Sequence, residues 1–357
     1  TDVTDFKSNA DVVYTTTNSG DTNFTDQNVV AGDTYHYRVT AVDGKSPENE
    51  SFFSDTVTAT GKYWDSGPVL PYKLQKASSV QDVKGDSFYV LGGLTGAGSD
   101  TSNILTYSDT AGWQDASFQL PNPLFQAGAA MDQAGDTLFV IGGKLEQTST
   151  SGTSTIHAYN FSQGTWKNYT DLPDTVHDAA VETMGDSLFV LGGRYPSNAT
   201  PISDTVYVYD LKQGLNGSWD TTTSLPERRK GLSSTTFSGL IGALGGYNSS
   251  SFRLQDADYY DSSTRTYSVI NVIPTARSNM ASAYKDGNLY IIAGTASGGS
   301  ASSDAYYYDY STNNWTTLPS IDNAVKHVVG GRSNGEIIVV GGNNGSTASS
   351  TVWRANP

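Results

Sequence analysis

Apolar positions in this chain come in short runs that each end on a glycine pair. Phe88-Tyr89-Val90-Leu91 leads into Gly92-Gly93, Leu138-Phe139-Val140-Ile141 into Gly142-Gly143, and Leu188-Phe189-Val190-Leu191 into Gly192-Gly193. The first glycines of these pairs stand 50 residues apart. Looser copies run from Gly239 to Gly246, Gly287 to Gly294 and Gly335 to Gly342. A continuous apolar run of this length predicts a strand buried on both faces. A period near 50 predicts one supersecondary unit repeated six times.

Three further strands are marked in each unit. A stretch of small residues precedes the apolar run: Ala77-Ser78-Ser79, Ala127 to Ala130, Asp178-Ala179-Ala180, Leu232-Ser233-Ser234, Ala281-Ser282-Ala283 and Val328-Val329-Gly330. Small side chains suit innermost strands, where radially arranged sheets converge. The Gly-Asp pairs at 85, 135 and 185 predict tight hairpin turns between the first two strands. A third strand carries Tyr107, Tyr159, Tyr209, Tyr260 and Tyr308, and an outer one Trp113, Trp166, Trp219, Tyr267 and Trp315. Leu120-Pro121, Leu172-Pro173, Leu225-Pro226 and Leu318-Pro319 follow.

The sixth unit has its first three strands and then reaches Pro357, whereas Trp64 and Leu70-Pro71 form an orphan outer strand ahead of the first unit. Trp64 is therefore expected to complete the last sheet and close the ring, which removes an open edge. The order of glycine pair, Tyr-Asp, Trp and Leu-Pro resembles the kelch repeat over residues 62–357, with Ala293-Gly294 and Tyr267 as departures. The resemblance implies an all-β fold, a six-bladed kelch β-propeller whose last blade is closed by the N-terminal strand.

Residues 1–61 stand outside the repeat. Asp11 to Tyr14 and Asn23 to Asp26 are β-like runs, and Ala31-Gly32-Asp33 is a turn signal. Thr34 to Asp43 alternates, with Tyr35, Tyr37, Val39 and Ala41 on one face, and Asp55 to Thr60 alternates again. This resembles the C-terminal half of a fibronectin type III module, a small partial β-sandwich in which Tyr35 would be the tyrosine-corner residue. Either the module continues upstream of this chain or the sandwich is incomplete; half a sandwich would leave an apolar face and an open edge, which invites pairing with another chain.

Charge and composition narrow the partners. The formal net charge is −15, from 21 Lys plus Arg against 36 Asp plus Glu, which disfavours nucleic acid and anionic membranes. No apolar run approaches a membrane span, so no membrane insertion is expected. With no cysteine, disulfides and thiolate metal sites are excluded. Thr1 opens into polar sequence, which reads as a mature or trimmed product. Asn-x-Ser/Thr acceptors at Asn23, Asn49, Asn160, Asn168, Asn198, Asn216, Asn248, Asn314 and Asn344 favour an extracellular or cell-surface location.

Catalytic and metal motifs are absent from the sequence, and no cofactor or metal is expected. His36, His157, His177 and His327 lack metal-ligand spacing, and the run Asp256 to Asp261 lacks the glycine and distal Glu of a calcium loop. Kelch propellers include copper-radical oxidases that need a cysteine, which this chain lacks.

The resemblance places ligands at the mouth of the central channel. The kelch position sixteen residues before the first glycine of the pair holds Lys76, Gln126, Val176, Arg229, Arg277 and Val325. The residues after the pair are Leu94, Lys144, Arg194, Tyr247, Thr295 and Asn343. With Arg228, Lys230, His177, Asp178, Lys326 and His327 nearby, these predict a basic mouth on an acidic body, suited to focusing an anion. Two roles are open to Arg229 and Arg277, ligand contact or packing between blades; Tyr195 and Tyr247 could stack on a sugar or pack a loop. The expectation is an extracellular recognition protein binding a glycan or protein at the mouth. One alternative is an enzyme resembling the sialic-acid mutarotase, with Glu227, Asp178, His177 or His327 as acid–base. Another is a structural part of a surface assembly.

Overall fold

In the computed structural model, the structure describes residues 15, 34–43, 45, 49–60, 63–82, 87–147, 151–250 and 252–356. The expected runs at 11–14 and 23–26, the turn at 31–33 and the first Gly-Asp pair at 85–86 lie outside them. The chain divides into two compact units, 1–63 and 64–357.

In the first unit, Thr34–Tyr37 pairs antiparallel with Val57–Thr60, Thr34 opposite Thr60 and Tyr37 opposite Val57. Hydrogen bonds continue the ribbon: Ser54 N donates to Val39 O, Ser51 N to Ala41 O and Asp43 N to Asn49 O. Tyr35 and Tyr37 stack at 6.4 Å on one face, as their alternation predicts. Val39 and Val57 remain largely exposed.

The second unit is a ring of six four-stranded antiparallel sheets. Blade 1 is built from Ser78–Gln81, Phe88–Leu91, Ile104–Ser108 and Gly112–Asp115, from the axis outward. Blades 2 to 5 repeat this order, beginning at Gly128–Met131, Ala180–Met184, Ser233–Phe237 and Ala281–Lys285. Blade 6 takes Val329–Ser333, Glu336–Val340 and Val352–Ala355, and its outer strand is Asp65–Ser66. Asp65 stands opposite Arg354 and Ser66 opposite Trp353, so the N-terminal strand closes the ring. Each inner strand packs beside those of both neighbours, blade 6 beside blade 1 included.

Sequence chemistry explains this geometry. Inner strands are small because they crowd: a Cβ on Gly128 would lie 2.1 Å from Val181, and one on Gly330 2.7 Å from Ala281. Second strands are apolar because both faces are covered by neighbouring blades; Leu138, Leu188, Ile241 and Ile337 are fully buried. The outer-strand tryptophans act as latches across blades. Trp113 donates its indole N–H to Pro68 O (2.7 Å), Trp219 to Thr170 O (2.9 Å), and Trp315 to Asn271 O (2.5 Å). Trp64 does the same to Pro319 O at 2.7 Å, which places the closing strand in the same register as the others.

The glycine pairs hold neighbouring blades together. In every blade the second residue's N–H donates to a carbonyl of the next blade: Gly93 to Leu124, Gly143 to Val176, Gly193 to Arg229, Gly246 to Arg277, Gly294 to Val325 and Gly342 to Leu74, at 2.7–2.9 Å. The same carbonyl excludes a side chain from the first residue, since a Cβ on Gly92 would lie 2.2 Å from Leu124 O and one on Gly192 2.5 Å from Arg229 O. Both glycines also adopt positive φ, 59° and 99° in blade 1. Ala293 is the exception, at φ 60°.

Candidate functional site: the channel mouth

Each inner strand is entered through a three-residue segment: 74–76, 124–126, 176–178, 229–231, 277–279 and 325–327. The first residue supplies the carbonyl just described. The middle one pairs with the residue after the glycine pair: Gln75 with Leu94, Phe125 with Lys144, His177 with Arg194, Lys230 with Tyr247, Ser278 with Thr295, and Lys326 with Asn343. The third adopts a left-handed backbone: Lys76 φ 54°, Gln126 57°, Asp178 57°, Gly231 57°, Asn279 50° and His327 54°. In blades 1 to 5 its N–H donates to the equivalent carbonyl of the preceding blade, Lys76 to His327 (3.2 Å), Gln126 to Lys76 (2.9 Å), Asp178 to Gln126 (3.0 Å), Gly231 to Asp178 and Asn279 to Gly231 (both 2.7 Å). This backbone girdle fixes where the mouth side chains begin.

The girdle corrects the expected register. From third residue to glycine pair there are sixteen residues in blades 1 and 2 but fourteen in blades 3 to 6, because the first two inner hairpins are longer. Lys76 and Gln126 therefore align with Asp178, Gly231, Asn279 and His327. Arg229 and Arg277 align instead with Leu74, Leu124, Val176 and Val325, all buried.

Both arginines are fully buried and do not present to the mouth. Arg229 donates to Asp258 Oδ2 (2.7 Å) and reaches Gly245 O and Asp256 O at 3.4 Å. Arg277 donates to Asp304 Oδ2 (3.1 Å), Ala293 O (3.0 Å) and Thr275 Oγ1, and lies 4.9 Å from the Tyr306 ring. Of the two roles left open by the sequence, this geometry is packing. The Arg229 pair also commits Asp258, one carboxylate of the acidic run at 256–261, and Tyr195 is too buried (1% exposed) to stack on a ligand.

The mouth itself is a lysine array around one carboxylate. Asp178 accepts from Gln126 Nε2 at 2.6 Å, His177 Nδ1 lies 3.1 Å from it, and Lys230 Nζ 3.3 Å. Burial pushes its carboxyl up, but the His177 hydrogen bond and the Lys230 charge outweigh that and hold it well below the carboxylate range. Lys76 and Lys144 flank the Phe125 ring, at 5.8 and 5.5 Å, and neither has an ion-pair partner among the described residues. Burial depresses the Lys76 ammonium against the opposing charge of Asp178, and Lys144, Lys230 and Lys326 add to the depression. Burial and the Lys76 charge push His327 down to about 4, so it is neutral at pH 7. Lys230 and Arg253 flank Tyr247 at 5.8 and 4.9 Å, and Lys326 donates to Gly299 O at 2.8 Å. Arg194 and Asn343 enter through their pairings with His177 and Lys326.

Sequence reasoning missed Arg253, which arrives through the hairpin Tyr247–Asn248/Phe252–Arg253, and Asn279, which only the corrected register reveals. Lysine ammoniums are compact point charges, so the array suits a spherical or monodentate anion more than the bidentate grip expected of arginine forks.

Six radial four-stranded sheets with converging side chains at one end of the axis define a β-propeller. Residues 76–273 and 176–357 each match the model of the KLHDC2/KLHL20/DRC7 kelch-repeats domain, and the chain belongs to the kelch-repeat family. No curated protein matches the chain. A kelch propeller suggests protein binding. No helix among the described residues is long and apolar enough to cross a membrane.

Proposed function

We propose that this propeller is a recognition module whose channel mouth receives an anionic group of a partner protein. The observation that carries this reading is the pair Lys76 and Lys144 on one aromatic ring, neither in an ion pair among the described residues, on a chain of net charge −15. Lys230 and Lys326 add charge, and Gln126, Asn279 and Asn343 supply neutral hydrogen-bonding groups. Extracellular or cell-surface action is part of the proposal. It is supported by the exposed acceptor asparagines Asn49, Asn168, Asn198, Asn216, Asn314 and Asn344. The N-terminal unit is read as part of a fibronectin type III-like module, supported by its antiparallel ribbon, which would join the propeller to a larger assembly.

The test is calorimetric titration of a hexaglutamate peptide against hexaglutamine at low salt. Hexaglutamate is expected to bind, with each of Lys76→Gln and Lys144→Gln weakening it about tenfold. Equal behaviour of the two peptides, or affinity unchanged in the double variant, would overturn the reading.

A further inference from the structure

A second site lies on the same end of the ring, at the seam where the N-terminal strand closes it. A cleft of about 420 Å³ opens there between the loop entering blade 6, the loop after its glycine pair and the segment after the closing strand. That volume falls within the roughly 300–1,000 Å³ of small-molecule sites. Lys73 is the one charged residue among those lining it. The remainder is chiefly neutral and polar, with Asn323, Asn344, Thr347, Ser349, Ser350 and Thr351.

The backbone of this cleft is spoken for, and the Ser349 and Thr351 hydroxyls bond each other at 2.9 Å, but several other side chains keep polar groups unused. Leu70 N donates to Ser350 O and Leu74 N to Ser349 O, both at 2.9 Å, so the seam's own hydrogen bonds form the floor. Asn344 Oδ1 accepts from the N–H groups of Ser346 (3.0 Å) and Thr347 (2.9 Å), which fixes its amide and leaves Nδ2 to donate. The side chains of Asn323, Thr347 and Ser350 make no hydrogen bond among the described residues. Lys73 has no ion pair there, and its stem rests on Gly96, where a Cβ would lie 3.0 Å from Lys73 Cβ and 3.3 Å from Cδ.

We propose that this cleft binds an acidic sugar unit, its carboxylate on Lys73 and its hydroxyls on Asn323, Asn344, Thr347 and Ser350. Hydroxyl and amide groups that both donate and accept match a polyhydroxylated ring. A single ammonium matches one negative charge, and the lining offers no aromatic face for a planar base. None of the mouth lysines lines the cleft, so this site stands or falls independently of the mouth.

Saturation-transfer NMR with D-glucuronate, D-glucose and acetate tests it. Glucuronate is expected to receive saturation and to bind about tenfold tighter than glucose. Lys73→Gln should abolish that preference, and Asn323→Leu should weaken both sugars. Both positions are exposed, so neither change threatens the fold. Lys76→Gln/Lys144→Gln at the mouth should leave the sugar signal unchanged. No transfer to any sugar, transfer that survives both cleft variants, or full competition by acetate would overturn the proposal.

Discussion

Replacing Trp64 by alanine tests whether the ring depends on its N-terminal latch. Trp64 is 5% exposed and donates its indole N–H to Pro319 O at 2.7 Å. Truncating a buried tryptophan costs about 3–5 kcal/mol through lost burial and the cavity left behind. Leaving Pro319 O without its donor adds about 1 kcal/mol. Trp64→Phe keeps most of the ring and loses the hydrogen bond, so about 1–2 kcal/mol is expected from it. Trp113 makes the same latch between blades 6 and 1, from its indole to Pro68 O, so Trp113→Ala is the matched control. Urea unfolding followed by far-ultraviolet circular dichroism measures all three. The expected order of midpoints is wild type, Trp64→Phe, then the two alanine variants together. A Trp64→Ala midpoint equal to wild type, alongside a shifted Trp113→Ala, would refute closure as a source of stability; the strand would then rest on the ring without holding it.

Three further outcomes follow from the buried charges. Arg229→Ala removes one partner of the buried ion pair with Asp258 and should destabilise the fold by about 3–5 kcal/mol, while acidic-peptide affinity of the folded fraction stays unchanged in titration. Glu182, beside the channel and bonded by Ser234 Oγ at 2.7 Å, has its carboxyl pushed up by burial to about 7 from 4.5. The folded state therefore binds the extra proton between these values, and stability falls as pH rises through that window. His327 is pushed down to about 4 from 6.5, so the unfolded state binds the extra proton and stability is lost as pH falls from 6.5 toward 4. The slopes oppose, each up to about 1.4 kcal/mol per pH unit. Denaturation midpoints across pH 4.5–6.5 should be nearly flat in wild type, rise with pH in Glu182→Gln and fall with pH in His327→Gln. A steep wild-type profile unaffected by both variants would reject this account. Lys76→Gly should relieve a left-handed backbone and raise stability by about 0.5–1 kcal/mol, yet weaken hexaglutamate binding; loss of both stability and binding would contradict it.

How far the chain could be read follows from which positions the fold constrains sterically. Gly92 and its counterparts announce blade number because the next blade's carbonyl occupies the space of a Cβ. The tryptophans announce the outer strands because four of them, Trp64, Trp113, Trp219 and Trp315, reach a carbonyl of the adjoining blade. Position sixteen before the pair is different: nothing steric pins the length of the inner hairpin, and two extra residues in blades 1 and 2 shifted the register there. A signal was nevertheless present. Val176 and Val325 already sat at the supposed mouth position, and Leu74 and Leu124 sit two residues before Lys76 and Gln126. A series of Leu, Leu, Val, Arg, Arg and Val is an interior position, and two arginines in it must bring carbonyl and carboxylate partners with them. They do, through Asp258 and Asp304.

The true mouth series, Lys76, Gln126, Asp178, Gly231, Asn279 and His327, has the opposite character. Its backbone is left-handed in all six blades, which favours Gly, Asn and Asp. Gly231, Asn279 and Asp178 are what that backbone selects. Lys76, Gln126 and His327 are not, and each carries a polar group to the channel entrance against its own backbone preference. The mouth is thus a layer of the ring where the same position in every blade holds a left-handed backbone and three blades place there a residue other than Gly, Asn or Asp. Its position next to Lys144 and Lys326 is why the proposed anionic partner would dock there and not at the buried arginines.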